Sequence, residues 1–290
     1  MTHRTRILLF LAALGFFVLL PRVSSAETIR SFHSTIEVMP SGDVRVRETM
    51  TYDFEEQERH GIYRDIPYAY TRNSLNYRVR LKVRSVVDGA GIAQRLSLSR
   101  ENGMLRLRIG NPDVLITGEH VYEITYDVRN ALNWFGEEAE LYWNVSGNNW
   151  QVPIQTASAT LRGPAAWTAT RCFTGVFGSA DELCSVGLDG TDVLVSSRTV
   201  LAPGEGLTVV ARVSAAAVPP PTRTQRFLAV LRDNIGFGLP VVVLGVLLLL
   251  WKKYGRDPRG RGVIIPEYEP PKGMSPAMLG YLIDQRIDPR

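Results

Sequence analysis

The stretch RSFHSTIEVMPSGDVRVRETMTYDF, residues 30–54, decides the fold class of this chain. Apolar and polar residues alternate on both sides of Pro40-Ser41-Gly42-Asp43, a run of residues that favour turns. A period of two places alternate side chains on the same face of a strand. The stretch therefore predicts a β-hairpin with one buried face. Its predicted core residues are Phe32, Ile36, Val38, Val44, Val46, Met50, Tyr52 and Phe54.

Similar alternating segments continue to about residue 213, separated by turn sequences such as Asn102-Gly103. Roughly nine or ten short strands in one region are typical of an antiparallel β-sandwich. No helical period competes with the strand pattern before residue 224. The sequence therefore predicts a mainly β fold, with an antiparallel β-sandwich at residues 27–216.

The two ends of the chain predict export and membrane attachment. Residues 1–26 combine basic residues, an apolar stretch and small residues, which is typical of a signal peptide. Residues 235–251 carry no charge and precede Lys252 and Lys253, which predicts a single transmembrane helix ending in the cytoplasm. The alternative for residues 1–26 is an uncleaved first membrane helix, and the alternative for residues 235–251 is a buried core helix. We expect a protein of the bacterial cytoplasmic membrane, with its N-terminal domain outside the cytoplasm.

The remaining segments are short. Residues 217–234, which contain Pro219-Pro220-Pro221, are predicted to be a Pro-rich linker and juxtamembrane segment. Residues 252–290 form a predicted cytoplasmic tail, which we expect to be incomplete. In this tail, Ser275-Pro276 is typical of a helix start, and apolar residues at helical spacing follow it to about residue 285. A helix this short needs a partner for its apolar face.

The charge distribution argues against a nucleic-acid partner. The net charge is +4 and the isoelectric point is about 9.1. The basic excess lies in the two ends of the chain, where it fits the membrane topology, and the region between them is slightly acidic. A nucleic-acid-binding face needs basic residues clustered on the folded domain. The expected partner is therefore the membrane, and we expect no nucleic-acid binding.

Two cysteines, Cys172 and Cys184, lie in the region predicted to be exported. Disulfides form and persist in oxidising compartments outside the cytoplasm. We therefore expect a disulfide between them, with two free buried thiols as the alternative. A structural zinc site needs four ligands, and two cysteines without a nearby histidine pair do not supply them.

Enzyme motifs are largely missing from the sequence. It contains no HExxH pair, no phosphate-binding loop and no GxSxG nucleophile elbow. We therefore assign no catalytic residue, cofactor or metal, and favour a non-enzymatic envelope protein whose exported β domain binds or senses a ligand. Acidic runs at residues 55–58 and 137–140 leave open an envelope enzyme that acts on glycans through a carboxylate pair. A structural subunit of a membrane complex is the other alternative.

Three sequence segments, which we call phrases, depart from the alternation of apolar and polar residues that is typical of strands. They are HGIYRDIPYAY at residues 60–70, ELYWNVSGNNWQVPI at residues 140–154, and GRDPRGRGVIIPEYEPPKGMSPAMLGYLID at residues 255–284. With the order of signal, exported domain and membrane helix, they resemble a YciQ-like family of predicted bacterial membrane proteins. The resemblance covers essentially the whole chain. It implies a membrane protein without catalytic residues to carry over. It also implies that relatives are generally longer, with further membrane helices.

The first two phrases also suggest a binding surface. Arg64 and Asp65 suggest an ion pair that fixes a loop. An aromatic rim around a groove is suggested by Tyr63, Tyr68 and Tyr70 together with Trp143 and Trp150. Aromatic rings together with amides suit an envelope glycan, a peptide or a protein ligand. The alternative is turn chemistry around a buried Trp. The candidate binding residues are Tyr63, Arg64, Asp65, Trp143, Asn144, Asn148, Asn149 and Trp150. We expect the two phrases to meet in space.

Overall fold

A computed structural model describes residues 26–72, 74–255 and 272–284. The predicted signal segment lies outside these residues except for Ala26. The strands are β1 (Thr28–Val38), β2 (Val44–Asp53), β3 (Ile62–Pro67), β4 (Ala69–Arg72), β5 (Leu75–Arg78), β6 (Arg80–Asp88), β7 (Leu96–Glu101), β8 (Met104–Ile109), β9 (Glu119–Arg129), β10 (Leu132–Phe135), β11 (Glu138–Asn144), β12 (Ile154–Arg162), β13 (Trp167–Gly175), β14 (Cys184–Asp189), β15 (Asp192–Ser197) and β16 (Gly206–Ser214). The helices are α1 (Arg223–Asp233), α2 (Gly238–Tyr254) and α3 (Pro276–Asp284).

The predicted hairpin of residues 30–54 is present as β1 and β2. These strands pair antiparallel, from Thr28 opposite Asp53 to Val38 opposite Val44. They lie inside a seven-stranded sheet of order β14-β15-β12-β1-β2-β9-β6. Every predicted core residue of the hairpin is buried, because alternate side chains of both strands share the core face. The period of two is therefore a correct guide to this part of the fold.

The expectation of a purely antiparallel sandwich is wrong in two respects. Strand β1 pairs with β12 in parallel, with Ile29 opposite Ile154. A parallel pair needs a long connection, and here most of the domain lies between the two strands. The described residues also form four sheets rather than two. The three smaller ones have the orders β10-β11-β16-β13, β3-β8-β7 and β4-β5. The three larger sheets contribute to one buried apolar cluster, so the fold is mainly β.

The predicted disulfide between Cys172 and Cys184 is confirmed. The two Cα atoms are 6.2 Å apart, and the bond joins residues twelve positions apart. Cys172 lies on β13, at an edge of the four-stranded sheet, and Cys184 begins β14, at an edge of the seven-stranded sheet. The bond therefore links two sheets that share no strand pairing.

Helix α1 occupies the juxtamembrane part of the segment predicted at residues 217–234, directly after its Pro-rich stretch. Thr222 caps the helix by accepting a hydrogen bond from the Gln225 backbone N–H, and the Gln225 side chain accepts one from the Thr222 N–H. This reciprocal pair is a capping box, and its Thr-x-x-Gln signature is present in the sequence. This signature could have predicted the start of α1 from the sequence.

The described residues divide into two compact units, one up to residue 234 and one from residue 235. In the second unit, α2 contains residues 238–251 of the predicted apolar segment, and its large apolar side chains are exposed. Helix α3 confirms the short helix predicted after Ser275, whose Oγ accepts a 3.3 Å hydrogen bond from the Met278 N–H. Over the described residues, no single helix has the length and hydropathy of a membrane span, although α1 and α2 taken together have both.

Candidate functional site

A cavity of about 400 Å³ lies in the first unit where the ends of several strands converge. The phrase at residues 60–70 contributes Asp65, Pro67 and Tyr70, and the phrase at residues 140–154 contributes β11 and the loop after it. The β4–β5 hairpin and residues 173–179 complete its wall. The two phrases therefore meet at one surface.

Six aromatic side chains line the wall, and we call this site the aromatic cavity. Its aromatic lining residues are Tyr70, Tyr77, Tyr142, Trp143, Phe173 and Phe177. Tyr142 is 59% exposed and Phe177 is 88% exposed, although large apolar rings are usually buried. The hydroxyl of Tyr77 is not free, because it donates to the Asn130 carbonyl oxygen. The aromatic cavity therefore offers the exposed rings of Tyr142 and Phe177 to a ligand.

A buried ion pair lies beneath the wall. Arg64, on β3, donates from Nε to Glu48 Oε2 at 2.8 Å and from Nη2 to Glu48 Oε1 at 2.7 Å. The Tyr126 hydroxyl donates to the same Oε1 at 2.6 Å. The side chains of Arg64 and Glu48 are 2% and 0% exposed. Burial raises the pKa of Tyr126 well above its ordinary value, and the Glu48 carboxylate adds to the effect.

Arg64 also binds the second phrase. Its Nη2 donates to the Val145 carbonyl at 3.2 Å, and its Cζ lies 6.0 Å from the centre of the Trp150 ring. Gly147 has a φ of +79°, and a Cβ there would collide with Arg64 Nη1. Glycine is required at this position both for the backbone conformation and for the approach of the guanidinium. The two phrases are thus joined through one buried side chain.

Asp65 binds a different residue from the one that its neighbour Arg64 binds. Its carboxylate accepts bonds of 2.8 Å and 2.7 Å from Arg106 Nε and Nη2, and one of 3.1 Å from Asn149 Nδ2. The Arg106 hydrogen bonds hold the pKa of Asp65 below its ordinary value, against the opposing effect of burial. The suggested ion pair between Arg64 and Asp65 is therefore wrong, because adjacent strand residues project to opposite faces.

Three amides of the second phrase hold its own loop in place. Asn144 donates to Asn148 Oδ1 at 2.5 Å, and its Oδ1 accepts from the Gly147 N–H at 2.9 Å. Asn148 donates to the carbonyls of Gly175 and Gly204 at 3.0 Å and 3.2 Å. With Asn149 bonded to Asp65, each of these amides donates a hydrogen bond to the protein itself. Their main structural effect is to fix the cavity wall.

The eight candidate residues divide into two groups. Five of them line the aromatic cavity, namely Asp65, Trp143, Asn144, Asn148 and Asn149. Tyr63, Arg64 and Trp150 do not, because Arg64 and Trp150 are buried beneath it and Tyr63 lies against Arg106, with 5.7 Å from its ring centre to Arg106 Cζ. Trp143 is also only 5% exposed. Of the predicted aromatic rim, Tyr70 and Trp143 line the cavity, and Tyr142 and Phe177 line it in addition.

Phe177 and its segment were missed from the sequence. The segment GVFGSA, residues 175–180, places an apolar pair between two glycines, which is typical of a turn and gives no sign of a cavity. Val176 and Phe177 are both exposed, at 60% and 88%. The disulfide partner Cys172 is near in sequence and was the available signal that this turn is held close to the domain.

The acidic groups of the site do not form the pair that the enzyme alternative requires. Asp65 is the one carboxylate among the described residues that line the aromatic cavity. One member of each acidic run pairs with an arginine, Glu55 with Arg30 and Glu140 with Arg212. Over the described part of the chain, no group of three or more His, Cys, Asp or Glu side chains is arranged to hold a metal ion.

Comparisons with known proteins agree with the membrane-protein resemblance. Uncharacterized protein YciQ of Escherichia coli (strain K12) is 27% identical over 161 residues, which cover 53% of this chain and 25% of that protein. The chain thus matches about a quarter of the length of this relative.

Similar solved structures include native leukotriene A4 hydrolase from Saccharomyces cerevisiae. It is 11% identical, with a TM-score of 0.41, and the match covers 64% of this chain and 29% of that one. The M1 zinc metallopeptidase from Deinococcus radiodurans is 10% identical with a TM-score of 0.36, and the match covers 63% and 42% of the two chains. Likenesses this low carry no weight for activity.

The family assignment comes from a different match. A family model described as "Predicted membrane protein (DUF2207) N-terminal domain" matches residues 28–213, which include both phrases that form the aromatic cavity. This match and the similarity to YciQ confirm the resemblance drawn from the sequence. The chain therefore belongs to the DUF2207 family of predicted membrane proteins and carries the N-terminal domain of that family.

Proposed function

We propose that residues 27–216 form an exported domain that binds a ligand in the aromatic cavity, and that residues 235–251, most of which lie in α2, cross the bacterial cytoplasmic membrane once. The observation that carries this proposal is the cavity itself, because its wall has exposed aromatic rings and lies above the buried ion pair of Arg64 and Glu48. Binding sites are concave, largely apolar and built on rigid elements. The disulfide agrees with an oxidising compartment. Lys252 and Lys253, at the end of α2, agree with a cytoplasmic end there.

The ligand that best fits the aromatic cavity is a peptide or protein segment with an apolar side chain. A glycan presents many hydroxyl groups, which need donors and acceptors in the site. Asp65, Asn148 and Asn149 already bond within the protein. The exposed faces of Tyr142 and Phe177 remain, and they gain most by covering apolar surface. An envelope peptide is therefore favoured over an envelope glycan.

Sensing is supported by a direct structural connection from the cavity to the end of the first unit. Tyr70 and Tyr77, on the β4–β5 hairpin, line the aromatic cavity. On the same hairpin, the Asn76 N–H donates to Asn234 Oδ1 at 2.8 Å. Asn234 Nδ2 donates back to the Asn76 carbonyl at 2.9 Å. Asn234 directly precedes the predicted membrane segment, residues 235–251. A ligand that moves the hairpin would therefore act on the residue next to the membrane.

The binding proposal is tested with the full chain in lipid nanodiscs, its disulfide intact. Intrinsic Trp fluorescence, to which Trp143 in the cavity wall contributes, reports binding while a panel of peptides is added, and a panel of envelope glycans is added separately. We expect at least one apolar peptide to bind and Phe177→Ala to weaken it by about tenfold, which corresponds to roughly 1.4 kcal/mol.

The matched control is Leu188→Ala on β14, because Leu188 is 76% exposed and lies outside the cavity wall. This variant is expected to bind like the unchanged chain. Equal weakening by both variants would contradict binding in the aromatic cavity. Saturable binding of a glycan, weakened by Asp65→Asn and not by Phe177→Ala, would support the glycan alternative instead.

A further inference from the structure

Helix α1 presents an exposed apolar surface formed by Phe227, Leu228 and Leu231, which we call the α1 face. These side chains are 65%, 54% and 46% exposed. At about 100° per residue they fall within an arc of roughly 100° on the helix, and Arg223 and Arg232 lie at its two borders. The α1 face is therefore a narrow apolar stripe with a guanidinium on each side.

The orientation of this helix is fixed by its C-terminal end. Asp233 Oδ2 accepts a 3.0 Å hydrogen bond from the Arg78 backbone N–H, and Asp233 is 8% exposed. Asn234 bonds to both backbone groups of Asn76. On the helix, Asp233 lies about 180° from the middle of the apolar stripe. The α1 face is consequently held on the side opposite to the attachment.

We propose that α1 lies in the surface of an anionic bilayer, with the α1 face among the acyl chains and its bordering arginines on lipid phosphates. The inference rests on the proposed crossing of the membrane by α2, which begins five residues after α1 ends. Interfacial helices combine an apolar stripe with basic borders, and basic residues gain free energy near anionic headgroups. The single acid of α1, Asp233, is already bound to the domain.

Two other occupants fit the α1 face less well. Inclusion in a membrane span would place Arg226 and Arg232 in hydrocarbon, where charged side chains are costly. A second copy would meet it through the same face in a two-fold arrangement. That arrangement would bring the bordering arginines of the two helices together, and like charges repel. An anionic lipid surface matches both the apolar stripe and its charge.

The test uses the full chain reconstituted in vesicles and labelled through one introduced cysteine at a time, with the native disulfide left oxidised. Leu228→Cys reports the α1 face, Leu247→Cys reports the middle of α2, and Leu188→Cys reports an exposed site on β14. A bimane label at each site is quenched by lipids that are brominated at shallow or deep acyl positions. Vesicles of phosphatidylglycerol are compared with vesicles of phosphatidylcholine.

We expect the label at Leu228 to be quenched mostly by shallow bromines and the label at Leu188 to be unquenched. Shallow quenching at Leu228 should fall severalfold in phosphatidylcholine, and also with Arg223→Gln/Arg232→Gln in phosphatidylglycerol. Quenching at Leu228 that equals that at Leu188 would overturn the proposal. Deep quenching, or quenching unaffected by lipid charge, would also overturn it.

The two proposals fail separately in this experiment. A label at Leu247 that is not quenched by deep bromines contradicts the membrane crossing of α2, whatever happens at Leu228. Deep quenching at Leu247 together with an unquenched Leu228 contradicts only the interfacial helix. Excimer formation between pyrene labels at Leu228 on different copies would assign the α1 face to a dimer and would likewise overturn the lipid assignment.

Discussion

Arg64 and Glu48 form a two-bond ion pair that is almost completely shielded from water, and this pair joins the first phrase to the seven-stranded sheet. A buried pair becomes strongly destabilising when one partner is removed, because the other charge is left buried and unpaired. The same guanidinium reaches the Val145 carbonyl in the second phrase. The wall of the aromatic cavity therefore depends on a charge that no ligand would touch.

Arg64→Ala should lower the free energy of unfolding by about 3–5 kcal/mol, because Glu48 is then buried without its partner. Urea unfolding followed by Trp fluorescence measures the change. The double variant Arg64→Met/Glu48→Leu should regain much of that loss, since neither charge remains. A loss of less than about 1 kcal/mol in the single variant is what a surface pair would give, and it would contradict this description of the pair.

Gly147→Ala should destabilise the domain more than Gly190→Ala. Both glycines have positive φ, +79° and +62°, so both variants carry the cost of a left-handed backbone, about 1–2 kcal/mol. A Cβ at Gly147 also collides with Arg64, whereas nothing lies within 4 Å of one at Gly190. The same unfolding measurement compares them. Equal losses of unfolding free energy in the two variants would mean that Arg64 moves away from the new Cβ at no cost in free energy, which would contradict the prediction.

The contribution of Asp65 to stability should depend on pH. Its pKa is held below the ordinary 3.8 in the folded chain by the Arg106 hydrogen bonds. The unfolded chain therefore binds the proton more readily, so the contribution is complete above about pH 4 and is lost as the pH falls through the folded pKa. The stability difference between the unchanged chain and Asp65→Asn should shrink over that interval.

Asp113→Asn is the control for this pH experiment, because the Asp113 side chain is 80% exposed. Stability curves measured from pH 6 downward should show only a small difference for that variant, since an exposed ion pair contributes little. A difference for Asp65→Asn that grows as the pH falls would give the opposite sign and contradict the assigned role of Arg106.

Replacing both cysteines, as Cys172→Ser/Cys184→Ser, should lower the free energy of unfolding by about 3 kcal/mol, the usual effect of closing a loop of this length. Reduction of the unchanged chain should give a similar loss. The intact mass of unreduced protein after alkylation checks the bond itself. Two alkylated thiols in natively purified protein would contradict the disulfide.

The sequence was sufficient for the parts of the fold that local physics determines. The β1–β2 hairpin follows from a period of two and a four-residue turn, and the short helix α3 follows from its Ser-Pro start. The parallel partner of β1 could not be predicted, because Ile29 and Ile154 are joined by no local signal. The four sheets were likewise inaccessible, since strand pairing over long distances leaves no pattern in either strand alone.

The candidate site was predictable as a meeting of two phrases and less so in its details. The unusual run of aromatic, Gly and Asn residues identified both segments. Adjacent Arg64 and Asp65 suggested one ion pair, whereas each has a distant partner, Glu48 and Arg106. Tryptophans look like exposed binding residues in a sequence, but Trp150 is buried against Phe32, with ring centres 6.4 Å apart. The exposure of a side chain depends on how the folded chain packs around it, so it cannot be predicted from the residue type alone.

The most direct test of ligand binding in the aromatic cavity is photo-crosslinking from Tyr142 in the intact membrane. A benzophenone amino acid replaces Tyr142, which is 59% exposed at the cavity wall, or Leu188 as the control. Mass spectrometry of the purified chain then identifies any adduct. We expect a defined peptide adduct from position 142 that is missing from position 188. No adduct at 142, or the same adducts from both positions, would contradict it.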